Sequence, residues 1–245
     1  MPQRFRFPAL ALLLAFLAPG VACAGPPYLT DDPVPTDLHH WEIYTFASGS
    51  HTPGTTDEAA GLDFNYGGAK DLQLTAVFPL AFQNEAHGDL GNIELAAKYR
   101  FVHQKDGTAM PDVAVFPRLF VPSPNHRYGS GRLNLLLPLW VGKDFGPWSV
   151  FGGGGITINP GHGNRNFWQG GLTVTRAFGE ALNLGVEVYH RTPDARDAEA
   201  FTGVNLGAVI RLAPHWSLLA SGGPGIQHAR AQGQYDFYVS LKADY

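Results

Sequence analysis

The sequence is short of cysteine, of charge and of long apolar runs. Cys23 is the only cysteine among 245 residues, so no intramolecular disulfide can form. Charged residues make up 16% of the chain, whereas a soluble domain usually carries about 25%. No apolar run after Gly25 reaches the roughly 20 residues that a membrane-spanning helix needs. The net charge of −4 comes without a basic stripe, so nucleic acid is not an expected partner.

The first 24 residues have the order of a secretory signal peptide. Arg4 and Arg6 give a basic start, an apolar run extends from Phe7 to Leu17, and Ala22-Cys23-Ala24 fits a cleavage site. We therefore expect export and cleavage after Ala24, which would also remove Cys23. An N-terminal core helix and a lipoprotein anchored at Cys23 are the alternatives. Against the anchor, Gly20 stands where a lipoprotein signal usually carries a larger aliphatic residue.

After this segment the chain shows side-chain alternation. From Asn92 to Phe101, apolar residues alternate with Glu94, Lys98 and Arg100. Successive side chains of a strand point to opposite faces, so the pattern predicts a strand with one apolar and one polar face. Similar alternation occurs near 60–66, 72–80, 182–189, 204–212 and 236–245, and less regularly near 39–48, 112–121, 132–142, 148–158, 167–176 and 216–226.

These segments predict an all-β fold, an antiparallel transmembrane β-barrel of outer-membrane type with about twelve strands over residues 39–245. Most segments approach the 9–11 residues that a tilted membrane strand requires. Short connections, such as Lys143 to Pro147, alternate with longer polar ones, such as Ser50 to Asp57, as periplasmic turns alternate with extracellular loops. An even strand count puts both termini in the periplasm.

Two residue types test this scheme. Proline cannot donate a ladder hydrogen bond, so we expect bulges or rim positions at Pro79, Pro117 and Pro138. Tryptophans are expected near strand ends, where aromatic girdles meet the membrane surface. The five tryptophans are Trp41, Trp140, Trp148, Trp168 and Trp216.

Several stretches resemble a known family. The chain reads Gly25-Pro26-Pro27-Tyr28-Leu29-Thr30-Asp31-Asp32-Pro33 and then His39-His40-Trp41-Glu42-Ile43-Tyr44, with further similar stretches at Asp89–Tyr99 and Val115–Arg118. They resemble the outer-membrane transporter-like family named for the meta-cleavage pathway of phenol degradation (the MetA-pathway of phenol degradation family). The resemblance implies a channel or uptake barrel for aromatic or other hydrophobic compounds. Tyr245 is similar to the terminal aromatic residue of outer-membrane proteins.

The polar faces of the strands supply the candidate functional residues. Charged side chains in a barrel lumen either set the selectivity of a pore or form an ion-paired network that stabilises a closed interior, and the sequence leaves both open. The Pro-rich N-terminal segment, residues 25–38, is expected to lie in the periplasm or to enter the lumen as a plug, where Asp31 and Asp32 would meet Lys98, Arg100 or Lys242. The candidates for the lumen lining are Asp63, Glu94, Lys98, Arg100, Glu187, Arg211 and Lys242.

The expected function is passive uptake of a small solute across the outer membrane. A lipid-modifying outer-membrane enzyme, for which Ser217 and His215 are the nearest candidates, is one alternative, and a closed structural barrel is another. We expect no catalytic, metal or cofactor site, because no spacing typical of one occurs. Gly152–Gly155 is interpreted as a smooth wall against which a bulky lumenal group packs. The expected partners are outer-membrane lipid, the barrel-assembly machinery and an unidentified solute.

Overall fold

The computed structural model describes residues 26–84, 88–123 and 131–245. The predicted signal peptide, residues 1–24, lies outside the described residues. Among the described residues there is one short helix, α1 (Ala229–Gln232), and no helix is long and apolar enough to span a membrane. The strands are β1 (Trp41–Thr52), β2 (Thr55–Ala69), β3 (Leu72–Gln83), β4 (Asp89–Leu90), β5 (Ile93–Val102), β6 (Asp112–Val115), β7 (Arg118–Val121), β8 (Asn134–Phe145), β9 (Trp148–Ile158), β10 (Phe167–Phe178), β11 (Leu182–Arg191), β12 (Phe201–Ala213), β13 (Trp216–Gln227) and β14 (Tyr235–Asp244).

The strands close into one antiparallel barrel. The first strand pairs with the last, with Glu42 opposite Asp244 and His51 opposite Tyr235. β4 and β5 both pair with β3 and together make one spanning strand. β6 and β7 both pair with β5 and β8 and make another. The described strands therefore form a closed barrel of twelve spanning strands, which confirms the predicted fold.

The predicted alternation corresponds to a polar lumen and an apolar outer face. In β5, Glu94 and Lys98 are 6% and 2% exposed, whereas Leu95 and Tyr99 are 46% and 49% exposed. In a soluble domain, large apolar side chains would be the buried set. The inverted pattern is that of a barrel whose apolar face meets lipid.

The three prolines lie at or beside strand breaks. Pro117, with Phe116, separates β6 from β7, so the predicted strand 112–121 is divided. Pro138 stays inside β8 opposite that break, and its carbonyl accepts a hydrogen bond from the Phe116 N–H at 3.2 Å. Pro79 stays inside β3 beside the break between β4 and β5, and its carbonyl accepts from the Gly91 N–H at 2.9 Å. Each missing proline N–H thus falls where the neighbouring ladder is already interrupted.

The two ends of the barrel differ in their connections. At one end lie tight turns, such as Lys70-Asp71 and Gly146-Pro147, and the starting residue of β1. At the other end the connections are mostly longer, although the predicted loop from Ser50 to Asp57 is wrong. β1 and β2 pair up to Thr52 and Thr55 and turn tightly at Pro53-Gly54. The polar residues that suggested a loop belong to the ends of β1 and β2, which extend beyond the lipid-facing apolar part of the barrel.

The tryptophan prediction holds at four positions and is wrong at one. Trp41, Trp148, Trp168 and Trp216 lie near strand ends and are 39–59% exposed. Trp140 lies within β8, is 3% exposed and faces the lumen. A Cβ on Gly153 would stand 3.1 Å from the Trp140 ring, so one glycine of the Gly152–Gly155 run provides close packing space for the indole.

Candidate functional site: a lumen that holds the N-terminal segment

Residues 26–38, hereafter the N-terminal segment, lie inside the barrel. The segment enters from the short-turn end, where Leu38 forms a bridge with Gly67 of β2. At its far end the Pro27 carbonyl accepts a hydrogen bond from the Ser221 hydroxyl of β13 at 2.5 Å. It therefore extends from the short-turn end into the lumen. Of the two predicted positions, the structure shows the lumenal one.

Glu187 of β11 anchors the backbone of the segment. Its carboxylate accepts hydrogen bonds from the N–H groups of Leu29 at 3.2 Å and Thr30 at 2.5 Å. The Asn205 amide donates to the same carboxylate at 3.2 Å. Glu187 is 0% exposed, so its charge is stabilised by these donors and not by water.

Lys98 of β5 holds the two adjacent acids. Its Nζ lies 2.9 Å from Asp31 Oδ1 and 4.0 Å from Asp32 Oδ1. The Val34 N–H also donates to Asp32 at 2.5 Å. Burial raises the pKa of Asp32 from 3.8 to about 7, although Lys98 opposes this shift. Of the three cations expected to meet Asp31 and Asp32, Lys98 is the one that does.

Glycines on the opposite wall make room for the segment. A Cβ on Gly171 would lie 2.1 Å from the Thr30 hydroxyl, and one on Gly207 would lie 2.5 Å from the Tyr28 ring. Gly185 is similarly close to the Tyr28 hydroxyl, at 2.4 Å. Non-bonded Cβ contacts essentially never fall below 3.0 Å, so the segment fits because these side chains are absent. Burial raises the pKa of Tyr28, which therefore remains a neutral phenol.

The base of the segment is fixed near the short turns. The Thr36 N–H and hydroxyl both donate to Gln73 Oε1, at 2.9 and 3.1 Å. Gln73 in turn donates to Asn65 at 2.7 Å. These neutral hydrogen bonds join the segment to β2 and β3 just before the chain enters β1.

The other predicted lumenal residues form pairs within the wall. Glu94 accepts two hydrogen bonds from Arg118, at 2.7 and 2.8 Å, and Arg118 was not predicted. Asp63 accepts from the Asn65 amide at 2.8 Å. The remaining three lie towards the short-turn end: Arg100 pairs with Asp71 and Asp112, Lys242 pairs with Glu42 and Asp244, and Arg211 donates to the Pro214 carbonyl.

Three of the cavities lined by residues that the structure describes lie around the segment. The largest, about 750 Å³, lies above its tip and is hereafter the vestibule. A second, about 180 Å³, lies between the segment and the wall that carries Asp63 and Glu94. A third, about 390 Å³, opens at the short-turn end beside Arg211 and Lys242. The first two share Tyr28, Leu29 and Arg118 as lining residues, and the last two share Thr36, Asp37 and Glu42. The cavities thus follow one another along the lumen.

Aromatic residues line much of the vestibule, and several of the charged side chains near it have a polar or charged partner. Tyr189 donates its hydroxyl hydrogen to Asp236, and Arg191 pairs with Asp194 at 3.5 Å. Together with the paired Arg118, these contacts offset several of the charges near the vestibule. The aromatic residues at lumenal positions that line it are Tyr28, Phe120, Trp140, Phe167, Tyr189, Phe201 and Tyr238.

The residues expected for an enzyme do not come together. Ser217 is 8% exposed and lines the short-turn cavity, whereas His215 stacks on Tyr245 and its Nδ1 lies 2.8 Å from the Asp244 carbonyl. Nucleophilic catalysis needs serine and histidine within hydrogen-bond reach. Within the described ranges, no group of three or more His, Cys, Asp or Glu residues could hold a metal ion.

Comparison with solved structures shows that this barrel is similar in fold to outer-membrane channels and porins. It is similar to the COG4313 outer membrane channel from Pseudomonas putida F1, with a TM-score of 0.72 and 14% identity over 87% of this chain and 98% of that one. The NanC porin has a TM-score of 0.61 and 8% identity over 82% and 98% of the two chains. The KdgM porin, solved with disordered oligogalacturonate, has a TM-score of 0.59 and 11% identity over 83% and 99%.

The sequence comparisons add no family. No family model matches the chain, and no curated protein matches it. At identities of 8–14%, the likeness establishes the fold, a closed twelve-stranded barrel of the outer-membrane type.

Proposed function

We propose that this protein is an outer-membrane channel for the passive uptake of small solutes. The observation that carries the proposal is the series of cavities that runs along the lumen from the vestibule to the short-turn end. A barrel built only for structure fills its interior with side chains, as small barrels do. The short turns would face the periplasm and the longer loops the exterior.

The N-terminal segment would act as a lumenal constriction. Its anchors are strong but few: the Glu187 carboxylate, the Lys98 ammonium and the Gln73 amide. A solute would then pass beside the segment, or after the segment has shifted. The segment begins at Pro26, two residues after Ala24, where cleavage is expected.

The proposed solutes are small aromatic or other hydrophobic compounds. The rings that line the vestibule offer faces and edges on which an aromatic solute can pack. This fits the resemblance to the phenol-degradation family, which remains part of the proposal. The closed structural barrel is the second candidate, favoured by the ion pairs that join Glu94 to Arg118 and Lys98 to Asp31.

The test is conductance and uptake by the mature protein. We expect single-channel currents in planar bilayers, and entry of small aromatic solutes into liposomes that contain the protein. Empty liposomes and a heat-denatured sample serve as controls. A barrel that migrates in the heat-modifiable way on SDS gels yet carries neither current nor solute would establish the closed structural barrel instead.

A further inference from the structure

Arg176 lies on the outer face of β10, close to the short turns. Its outward neighbours Leu172 and Phe178 are 49% and 46% exposed, whereas Thr173 and Thr175 point into the lumen and are 0% and 5% exposed. Arg176 is itself exposed. It is thus a cation on the face that the barrel turns towards lipid.

Two aromatic rings hold the guanidinium group. Trp148 of β9 lies directly opposite Arg176 in the ladder, and Arg176 Cζ stands 5.2 Å from the Trp148 ring and 4.7 Å from the Phe178 ring. Both distances are within the range of a cation–π interaction. The rings therefore position the guanidinium before any ligand arrives.

The surrounding aromatic residues place Arg176 at the depth of lipid headgroups. Trp41, Trp148 and Trp216 all stand at the short-turn end and are at least 39% exposed, and such girdles mark the membrane surface. An arginine on the lipid face costs about 2–4 kcal/mol at the membrane midplane but about 0–1 kcal/mol near the surface. Arg176 is thus at a depth where it can face outward and remain charged.

The guanidinium group of Arg176 has hydrogen-bond donors that no described residue uses. It forms no hydrogen bond or ion pair with any residue that the structure describes. The outward positions of β8, β9 and β10 carry no carboxylate, and the other cation on that face is Lys143 of β8, whose Nζ donates to the Lys105 carbonyl at 2.9 Å. A planar guanidinium with free donors is suited to bidentate binding of a phosphate group.

We propose that Arg176, Trp148 and Phe178 form a binding site for the phosphate of an anionic glycerophospholipid in the leaflet on the short-turn side. Arg176 donates to two phosphate oxygens, while the rings pack against the glycerol and the upper acyl chain. Lys143 adds positive charge to the same face. This site is on the outside of the barrel and does not depend on whether the lumen conducts.

The test is native mass spectrometry of the detergent-solubilised mature protein titrated with dioleoyl phosphatidylglycerol. Arg176→Gln should weaken the binding of the tightest lipid about tenfold, as expected for loss of one charge-assisted bidentate contact. Arg176→Lys should bind the lipid more weakly than the wild type but more tightly than Arg176→Gln, because lysine keeps the positive charge but lacks the planar guanidinium fork. Arg211→Gln removes an arginine near the same end but on the lumenal face, and should leave lipid binding unchanged.

Three results would overturn the proposal. Arg176→Gln could bind phosphatidylglycerol as tightly as the wild type while keeping heat-modifiable migration. Wild-type protein could retain dioleoylglycerol, which has the same chains and no phosphate, as well as it retains phosphatidylglycerol; this comparison does not depend on a variant that folds. Millimolar inorganic phosphate could displace the lipid completely, which would make the site one for a free anion.

Discussion

The two sides of the lumen hold the N-terminal segment by different means. The charged wall, the inward residues of β1–β7, presents Lys98, Glu94 and Arg118, and its Lys98 binds the acids of the segment. The glycine wall, the inward residues of β9–β13, presents Gly171, Gly185 and Gly207, which leave space for Thr30 and Tyr28. Charge fixes which residues of the segment face one wall, and missing side chains let the segment approach the other.

Glu187 is an exception, because it is a charged residue on the wall that otherwise holds the segment through missing side chains. It is a buried carboxylate on the glycine wall, and it holds main-chain N–H groups of the segment, not a cation. The glycine wall therefore contributes one strong polar anchor among small residues. Variants that alter one wall at a time can separate the two contributions.

The segment can be followed through a single cysteine. Thr30 is 1% exposed, and the expected mature chain has no cysteine, so Thr30→Cys would react with a maleimide only when the segment leaves its position. The labelling rate in this background then measures release of the segment from its lumenal position. A predicted change in the free energy of release becomes a change in the labelling rate.

The largest effect is expected from the charged wall. Lys98→Met leaves the part-buried Asp31 and the buried Asp32 without their ammonium partner, and breaking a buried pair in this way costs about 3–5 kcal/mol. Labelling of Thr30→Cys should accelerate by at least about a hundredfold. Lys242→Met is the matched control, because Lys242 is as buried as Lys98 but pairs with Glu42 and Asp244 of the wall. Equal acceleration in both variants would contradict the assignment.

The second-largest effect on the labelling rate is expected from Glu187, the polar anchor on the glycine wall. Glu187→Leu removes the acceptor for Leu29 and Thr30, and hydrogen bonds to a charged group contribute about 1.5–3 kcal/mol. Labelling should rise by about ten- to a hundredfold. Glu187→Gln keeps one acceptor oxygen and should give a smaller rise. If both variants label as slowly as the parent, the segment is held without Glu187.

The pH dependence of the segment distinguishes its acids from its neutral contacts. Because the pKa of Asp32 is raised from 3.8 to about 7 in the seated state, this contribution to seating is complete below 3.8 and is lost as the pH rises through about 7. Conductance should therefore be lower at pH 5 than at pH 8, with a limit of about tenfold in the seated-to-released ratio per pH unit. Asp32→Asn should remove the difference; its persistence in that variant would assign the effect to another group.

The space on the glycine wall should matter less than its anchor. Gly207→Leu places carbon where the Tyr28 ring lies, and overpacking of this kind costs about 1–3 kcal/mol. Labelling of Thr30→Cys should rise about tenfold. Ala208→Leu adds similar bulk to the lipid face of the same strand and should have no effect. A rise in the control alone would show that barrel distortion, not contact with the segment, causes release.

The smallest effect is expected at the short-turn end of the charged wall. Asp71 pairs with Arg100 and His103, which are residues of the wall and not of the segment. Asp71→Asn should lower the free energy of unfolding by about 0.2–1 kcal/mol, as partly exposed pairs do, and leave labelling unchanged. Thermal unfolding followed by circular dichroism measures the first effect. Faster labelling in this variant would mean that the two networks are coupled.

The sequence predicted the barrel well because alternation is a local property. Glu94 and Lys98 face the lumen, as the pattern from Asn92 to Phe101 required. The errors came where local composition is ambiguous. Polar residues from Ser50 to Asp57 suggested a loop, although they extend two paired strands, and Trp140 was assigned to a girdle, although its strand position faces inward.

The site was predictable only in its charges. The contact of Asp31 with Lys98 followed from charge complementarity, but three cations were equally available, and charge alone does not choose among them. Arg118 was missed because Pro117 interrupts the alternation, although its even position continues that of Asp112 and Ala114. The roles of Gly171, Gly185 and Gly207 depend on a segment that lies more than a hundred residues away in the chain.

If the N-terminal segment restricts the lumen, its removal must widen the path for ions. Single-channel conductance of a mature protein that lacks residues 25–38 tests it most directly, with heat-modifiable migration on SDS gels as the control for folding. We expect a severalfold larger conductance than that of the intact protein, because the three cavities would merge into one open lumen. A folded deletion variant with unchanged conductance would contradict it.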